Sequence, residues 1–230
     1  MKTIDFYSNK VVTKPWGYEY VIYNNKRKLA VTFLKINHGH KTSLHCHPQK
    51  KTGFIILSGK AQVQIGIYKK NKKNFSSLSR LVFRAGLFHS LKAVSKRGLY
   101  ALEFETPYNK KDLVRFEDSY GRQKKHYEGK KFTKNIDSSF LKFKDPKIGK
   151  KNNYIFNDLN ISIEVTKNLK SLTKKDDRST CAILNGNLKD NGGQDVIAYG
   201  EIIKTSTLRI LSDKFKIKKP LTILKVSKKN

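Results

Sequence analysis

Apolar and polar positions along this chain fall into short runs. YEYVIY (18–23), LAVTFLKI (29–36), GFIILSG (53–59), AQVQIGIY (61–68), RLVFRAG (80–86) and LYALEFET (99–106) are β-branched and aromatic, with turn residues between them. AQVQIGIY alternates strictly, as a half-buried antiparallel strand should. Long helical periodicity is nearly absent. Regularly spaced strands with turn punctuation predict an all-β sandwich or barrel such as a jelly roll.

The pattern breaks after Arg122. QKKHYEGKKFTKNIDSSFLKFKDPKIGKKNN is polar and lysine-rich and reads as a linker with one short helix. Strands then resume with YIFNDLNISIEVT, STCAILNGNLKD, DVIAYGEIIKT, STLRILSDKFKI and PLTILKVS. AILNGNL resembles IILSGKA of the first half: an apolar run, a small polar residue, Gly, then the next strand. The expected organisation is a first domain over 1–122, a basic linker over 123–152, and a second β domain over 153–230 that degenerately repeats the first. The second half has one histidine at most, His126 in the linker, so it lacks the residues for a histidine metal site.

Composition narrows the setting. At 230 residues, one large domain or two small ones are possible, and 11% aromatic residues argue against disorder. No apolar run is long enough to span a membrane, and MKTIDFYSNK lacks the apolar stretch of a secretory signal. Two cysteines, Cys46 and Cys181, make no disulfide framework, so a reducing compartment, the cytoplasm, is expected. Lys+Arg 49 minus Asp+Glu 18 gives a net charge of +31. The plain reading is that lysine is the default surface residue. A sharper one is a basic cleft for a small anionic sugar or sugar phosphate. Nucleic acid is disfavoured, because the lysines are spread through every segment with no basic helix and no zinc-finger or RNA-binding signature.

The chemistry concentrates in GHKTSLHCHPQKKTGFIILSG, Gly39 to Gly59, which holds three of the six histidines. Side chains at i and i+2 of a strand share a face, so His45 and His47 project together and Cys46 turns away. RAGLFHS supplies a third imidazole, His89, after a glycine turn. Such a set suits a divalent metal, with zinc first and iron, nickel or manganese also possible. The plainer reading is a metal-free pocket whose histidines bind ligand or pack. His38 and His40 flank Gly39 as turn or rim residues. Glu103 and Glu105 of EFET share a strand face. If that face is the interior they can serve as general base or metal ligand, and otherwise they are solvated.

Gly39, His45, His47 and Gly59 match the first cupin motif, and Gly86 and His89 match the core of the second. The cupin glutamate position is Thr52 here, so three ligands carry over and the carboxylate does not. KPWGYEYVI, KTSLHCH and DLVRFEDSYGR further resemble the type II phosphomannose isomerases, with Pro15-Trp16-Gly17 as the opening segment and Asp112 through Arg122 as the closing one. The resemblance covers about residues 10–122. That family usually has Gln in place of His45, and its Arg-Ala-Glu-His-Trp stretch is replaced by Lys50 through Phe54.

The resemblance implies a double-stranded β-helix, a bicupin with a degenerate second half, and a homodimer. It also implies metal-dependent aldose–ketose isomerisation of a sugar or sugar phosphate. His45, His47 and His89 would hold the metal, Glu103 or Glu105 would move the proton, and Arg115 would steady the enediolate or bind phosphate. The plainer reading of Arg115 is a structural ion pair with Asp112, Glu117 or Asp118, while Tyr120, Gly121 and Arg122 define how the segment folds back. Two rival readings are a non-catalytic sugar- or metal-binding cupin and a three-histidine iron dioxygenase.

Overall fold

The computed structural model describes residues 7, 9–26, 28–125, 127–169 and 179–229, and His126 lies outside them. The chain divides into two compact units, Met1–Lys142 and Phe143–Asn230.

The first unit holds strands β1 (Lys10–Lys14), β2 (Gly17–Asn25), β3 (Leu29–Ile36), β4 (Leu44–Cys46), β5 (Lys51–Ser58) and β6 (Ala61–Ile65), then β7 (Lys72–Phe75), β8 (Arg80–Phe83), β9 (His89–Ala93), β10 (Leu99–Thr106), β11 (Val114–Glu117) and β12 (Thr133–Asn135). One sheet runs β12-β1-β2-β3-β10-β5-β8 and the other β11-β4-β9-β6-β7, with every pairing antiparallel. From β3 to β11 the chain crosses repeatedly from one sheet to the other, which is the jelly-roll wrap the spacing predicts. The alternating strands turn one side inward. Leu34, Ile36, Phe54, Ile56, Val63, Phe83 and Leu91 form the core together with Trp16, so the tryptophan of the opening segment packs inside this unit. Part of the polar stretch after Arg122 belongs here too. Lys130–Phe132 form a 3-10 turn, and β12 pairs with β1 from Lys10↔Asn135 to Val12↔Thr133.

The second unit holds β13 (Lys151–Phe156), β14 (Leu159–Thr166), β15 (Thr180–Asn185), β16 (Leu188–Lys189), β17 (Asp195–Ile197), β18 (Ile202–Lys204), helix α1 (Thr205–Lys214) and β19 (Leu221–Lys228). STLRILSDKFKI, expected as a strand, is therefore mostly helix. Leu208, Leu211 and Phe215 recur at three- and four-residue steps and pack one apolar side against Cys181, Ile183 and Ile223. That spacing fits a helix, and the mixed polar positions between hide it from a strand reading.

The second unit's sheet runs β13-β14-β19-β15-β18, all antiparallel. This order reproduces β2-β3-β10-β5-β8 of the first unit, strand for strand. The likeness extends to register. The β5–β10 ladder shifts between Tyr100 and Ala101, and the β15–β19 ladder shifts between Ile183 and Asn185. A left-handed glycine follows each. A Cβ on Gly59 (φ 89°) would lie 2.3 Å from the Gly98 carbonyl oxygen, and one on Gly186 (φ 83°) would lie 3.0 Å from that of Pro220. Between β18 and β19 stands α1, where the first unit has β9, the strand carrying His89.

Candidate metal centre

His45 and His89 are cross-strand partners of β4 and β9, and His47 follows one turn of the pleat beyond His45. Their ring centroids lie 4.7 to 5.5 Å apart, and one ligand atom of each lies within 4.8 Å of the others. Among the described residues this is the cluster able to hold a metal ion, and it contains no carboxylate. Each Nδ1–H donates to a backbone carbonyl: His45 to Ser43 at 2.8 Å, His47 to Asp112 at 2.6 Å, His89 to Leu87 at 3.0 Å. The Nε2 atoms are thereby left as the lone-pair side, and those of His47 and His89 are buried without a hydrogen-bond partner. Buried nitrogens without a partner are costly unless something binds them, and a carbonyl on the far nitrogen is how metal-bound imidazoles are oriented. Burial holds all three rings neutral at pH 7: His45 is pushed well below its usual range, His47 to about 3 and His89 to about 4, with the neighbouring imidazoles and Lys50 adding to the effect. Phe83 stacks on His89 at 4.3 Å and fixes its plane. The residues present fit a divalent ion.

Thr52, at the cupin carboxylate position, is buried with its hydroxyl unpartnered. Directly across the ladder stands Glu105, and opposite residues share a face. Glu105 accepts from Lys50 Nζ at 2.6 Å, Lys110 Nζ at 2.7 Å and Thr32 Oγ1 at 2.8 Å. Burial alone would raise its pKa, but the two lysines outweigh burial and hold it ionised, below the usual carboxylate range. Glu103, two residues away and also buried, is pushed up to about 8 by burial and by the charge of Glu105. Both glutamates of EFET therefore face the interior, in different protonation states.

Arg115 on β11 lies across from His45. Its guanidinium donates to the carbonyls of Lys125 and Arg122 and comes within 4.0 Å of Glu128, with the charge of Asp118 also acting on it. Tyr120 and Arg122 fold the closing segment back, Tyr120 through its hydroxyl to Lys41 and Arg122 through Asp118 and Glu128. His38 and His40 are exposed at the rim.

His45, His47, Lys50, Glu103, Glu105 and Arg115 line one small cavity of about 60 Å³, closed by Trp16 and Phe54. Its walls hold residues the sequence reading did not single out as site residues. Lys14 pairs with Glu128 and Glu19, Lys110 also reaches Glu19 at 3.5 Å, and the Tyr127 hydroxyl donates to Glu19. Asp112, considered before only as a partner for Arg115, accepts from the backbone N–H groups of Gln49 and Lys50. The one signal for Lys14 and Glu19 was their place beside the Pro-Trp-Gly segment.

Two antiparallel sheets wrapped as a jelly roll, with histidines from the first and second motifs converging inside, make the first unit a cupin. Residues 4–118 match the mannose-6-phosphate isomerase C-terminal family, and the chain belongs to that family. The xanthan biosynthesis protein XanB of Xanthomonas campestris pv. campestris is 28% identical over 120 residues, 50% of this chain and 24% of XanB, so the match spans about a quarter of that relative's length. Solved structures similar to this chain include KdgF from Halomonas sp. (17% identity, 42% of this chain and 84% of that one, TM-score 0.37). A protein with a double-stranded beta-helix domain from Klebsiella pneumoniae subsp. pneumoniae is similar at 15% identity (44% and 79%, TM-score 0.39). The capsular polysaccharide assembling protein CapF from Staphylococcus aureus is similar at 14% identity (47% and 34%, TM-score 0.41). No helix among the described residues is long and apolar enough to cross a membrane.

Proposed function

We propose that the first unit is a metal-dependent aldose–ketose isomerase acting on a sugar or sugar phosphate. The observation that carries this reading is the convergence of three neutral imidazoles whose Nδ1–H groups are all tied back to carbonyls, leaving Nε2 for a ligand. His45, His47 and His89 would hold the ion. Three neutral nitrogens without a carboxylate favour zinc over hard ions, with iron, nickel or manganese also accommodated. Such an ion supplies polarisation of the sugar's carbonyl and hydroxyl oxygens.

The chain's own residues divide the remaining work. Glu103, titrating at about 8, takes the proton from the carbon beside the carbonyl when ionised and returns it to the adjoining carbon. Glu105, held ionised by Lys50 and Lys110, keeps Glu103 in that range. Arg115 presents its cation to the oxygen on which negative charge develops. A second reading, a non-catalytic sugar-binding cupin, is favoured by one observation: Thr52 offers no carboxylate to the ion, and Glu105 is spent on two lysines. We also infer that the second unit is a degenerate copy of the first, supported by its strand order, matching register shift and matching glycine, with α1 in place of the ligand-bearing strand.

Elemental analysis of purified protein, with turnover of mannose 6-phosphate followed in parallel, tests the isomerase. Near-stoichiometric zinc, nickel or manganese with turnover is expected, and both should vanish in His47→Ala. Wild-type metal content in that variant would place the site elsewhere. Metal without turnover selects the binding protein, and iron with oxygen uptake selects the dioxygenase.

A further inference from the structure

The outer face of the sheet β11-β4-β9-β6-β7 carries a second feature, away from the histidines. Ala61 and Val63 of β6 and Leu91 and Ala93 of β9 are buried in the core, so Gln62, Gln64, Ser90 and Lys92 point outward. Register sets these outward groups in rows. Lys41 faces Lys92, Lys92 faces Gln62, and Gln62 faces Asn74; beside them Ser90 faces Gln64, and Gln64 faces Lys72. All of them but Asn74 line a groove of about 470 Å³, with His38, His40 and Tyr120 at one end.

Its charge is uncompensated. Lys41, Lys72 and Lys92 line the groove, and among the described residues lining it there is no aspartate or glutamate. In the inner pocket, by contrast, Lys14, Lys50, Lys110 and Arg122 are each paired with a carboxylate. Lys41 and Lys92 stand directly opposite each other, an arrangement that repels unless an anion lies between them. The remaining lining is neutral and both donates and accepts: Gln62, Gln64, Ser90 and Ser119. Tyr120 is anchored by its hydroxyl to the Lys41 backbone and lies parallel to the His40 ring at 6.2 Å, giving an aromatic end wall.

We propose that this groove binds an anionic sugar chain, its carboxylate or phosphate between Lys41 and Lys92 and its hydroxyls on the amide and hydroxyl rows. A single-stranded nucleic acid would call for successive aromatic platforms along the groove, and its rings, His38, His40 and Tyr120, gather at one end rather than along it. The proposal stands apart from the histidine centre and does not depend on what that centre catalyses.

The test is calorimetric titration of the full chain with tetragalacturonate, a phosphorylated maltotetraose, neutral maltotetraose and a twelve-nucleotide oligothymidylate. It compares wild type with Lys41→Gln/Lys92→Gln. Tetragalacturonate or the phosphorylated maltotetraose should bind wild type, more weakly as salt rises, and lose at least tenfold in affinity in the double variant while bound metal stays unchanged. Which of the two is lost identifies the anion as carboxylate or phosphate. Equal binding by the double variant, equal binding of maltotetraose, or tighter oligothymidylate binding that the double variant abolishes would overturn the proposal.

Discussion

Asp112 accepts hydrogen bonds on both its carboxylate and its carbonyl. The carbonyl orients His47, and the carboxylate clamps the N–H groups of Gln49 and Lys50, whose side chain in turn holds Glu105. One residue of the closing segment thus sets a histidine of the candidate metal centre and an internal ion pair together. Asp112→Ala keeps the carbonyl on His47 but releases the N–H groups of Gln49 and Lys50, so metal binding is expected to weaken by up to about tenfold through the segment after His47, while Asp112→Asn, which keeps an acceptor, should do less. Competition with a chromogenic chelator measures both. Glu103 sets a pH dependence. An unfolded glutamate titrates near 4.5 and the folded one near 8, so between those values the folded state binds more protons. Stability therefore falls as pH rises through that window, by at most about 1.4 kcal/mol per pH unit from this group. Glu103→Gln should flatten the slope in denaturant titrations from pH 5 to pH 8. An unchanged slope would mean that Glu103 titrates normally.

Strand ends and turns carry the register at the scale of elements. Gly59 and Gly186 each occupy the left-handed region after a register shift, Gly59 hard against the Gly98 carbonyl and Gly186 against the Leu221 side chain and the Pro220 carbonyl. Gly59→Ala should destabilise the first unit by about 1–3 kcal/mol from backbone strain alone, and Gly186→Ala should do the same to the second. Calorimetry would show each variant lowering the melting of its own unit. Helix α1 rests on Leu208, which is fully buried, so Leu208→Ala should cost about 2–5 kcal/mol in the second unit and leave metal content unchanged.

All the groups of the histidine centre and its ion pairs belong to the molecule's first unit, Met1–Lys142. A fragment of residues 1–142 is therefore expected to fold and to hold metal at the stoichiometry of the full chain, as read by elemental analysis. A soluble, metal-free fragment would show that the second unit completes the site. The net charge of +31 reads as a solvated surface for most lysines, yet Lys14, Lys50 and Lys110 are buried and paired with glutamates. Composition treats all lysines alike, and the fold separates them.

The sequence by itself determined what depends on neighbours in the chain. The strands LAVTFLKI and LYALEFET match β3 and β10 residue for residue, because alternation and β-branching act locally. The histidine set was legible because i, i+2 spacing and two short motifs encode it. The tertiary structure alone decided what depends on partners far along the chain. Glu105 meets Lys50 across 55 positions and Lys14 meets Glu128 across 114, and no local period marks such pairs. It also decided that α1 is a helix, since packing of Leu208 and Phe215 on one side outweighs a weak local pattern. The protonation of Glu103 was likewise invisible in the sequence, because it follows from burial beside a second carboxylate, and burial belongs to the assembled core.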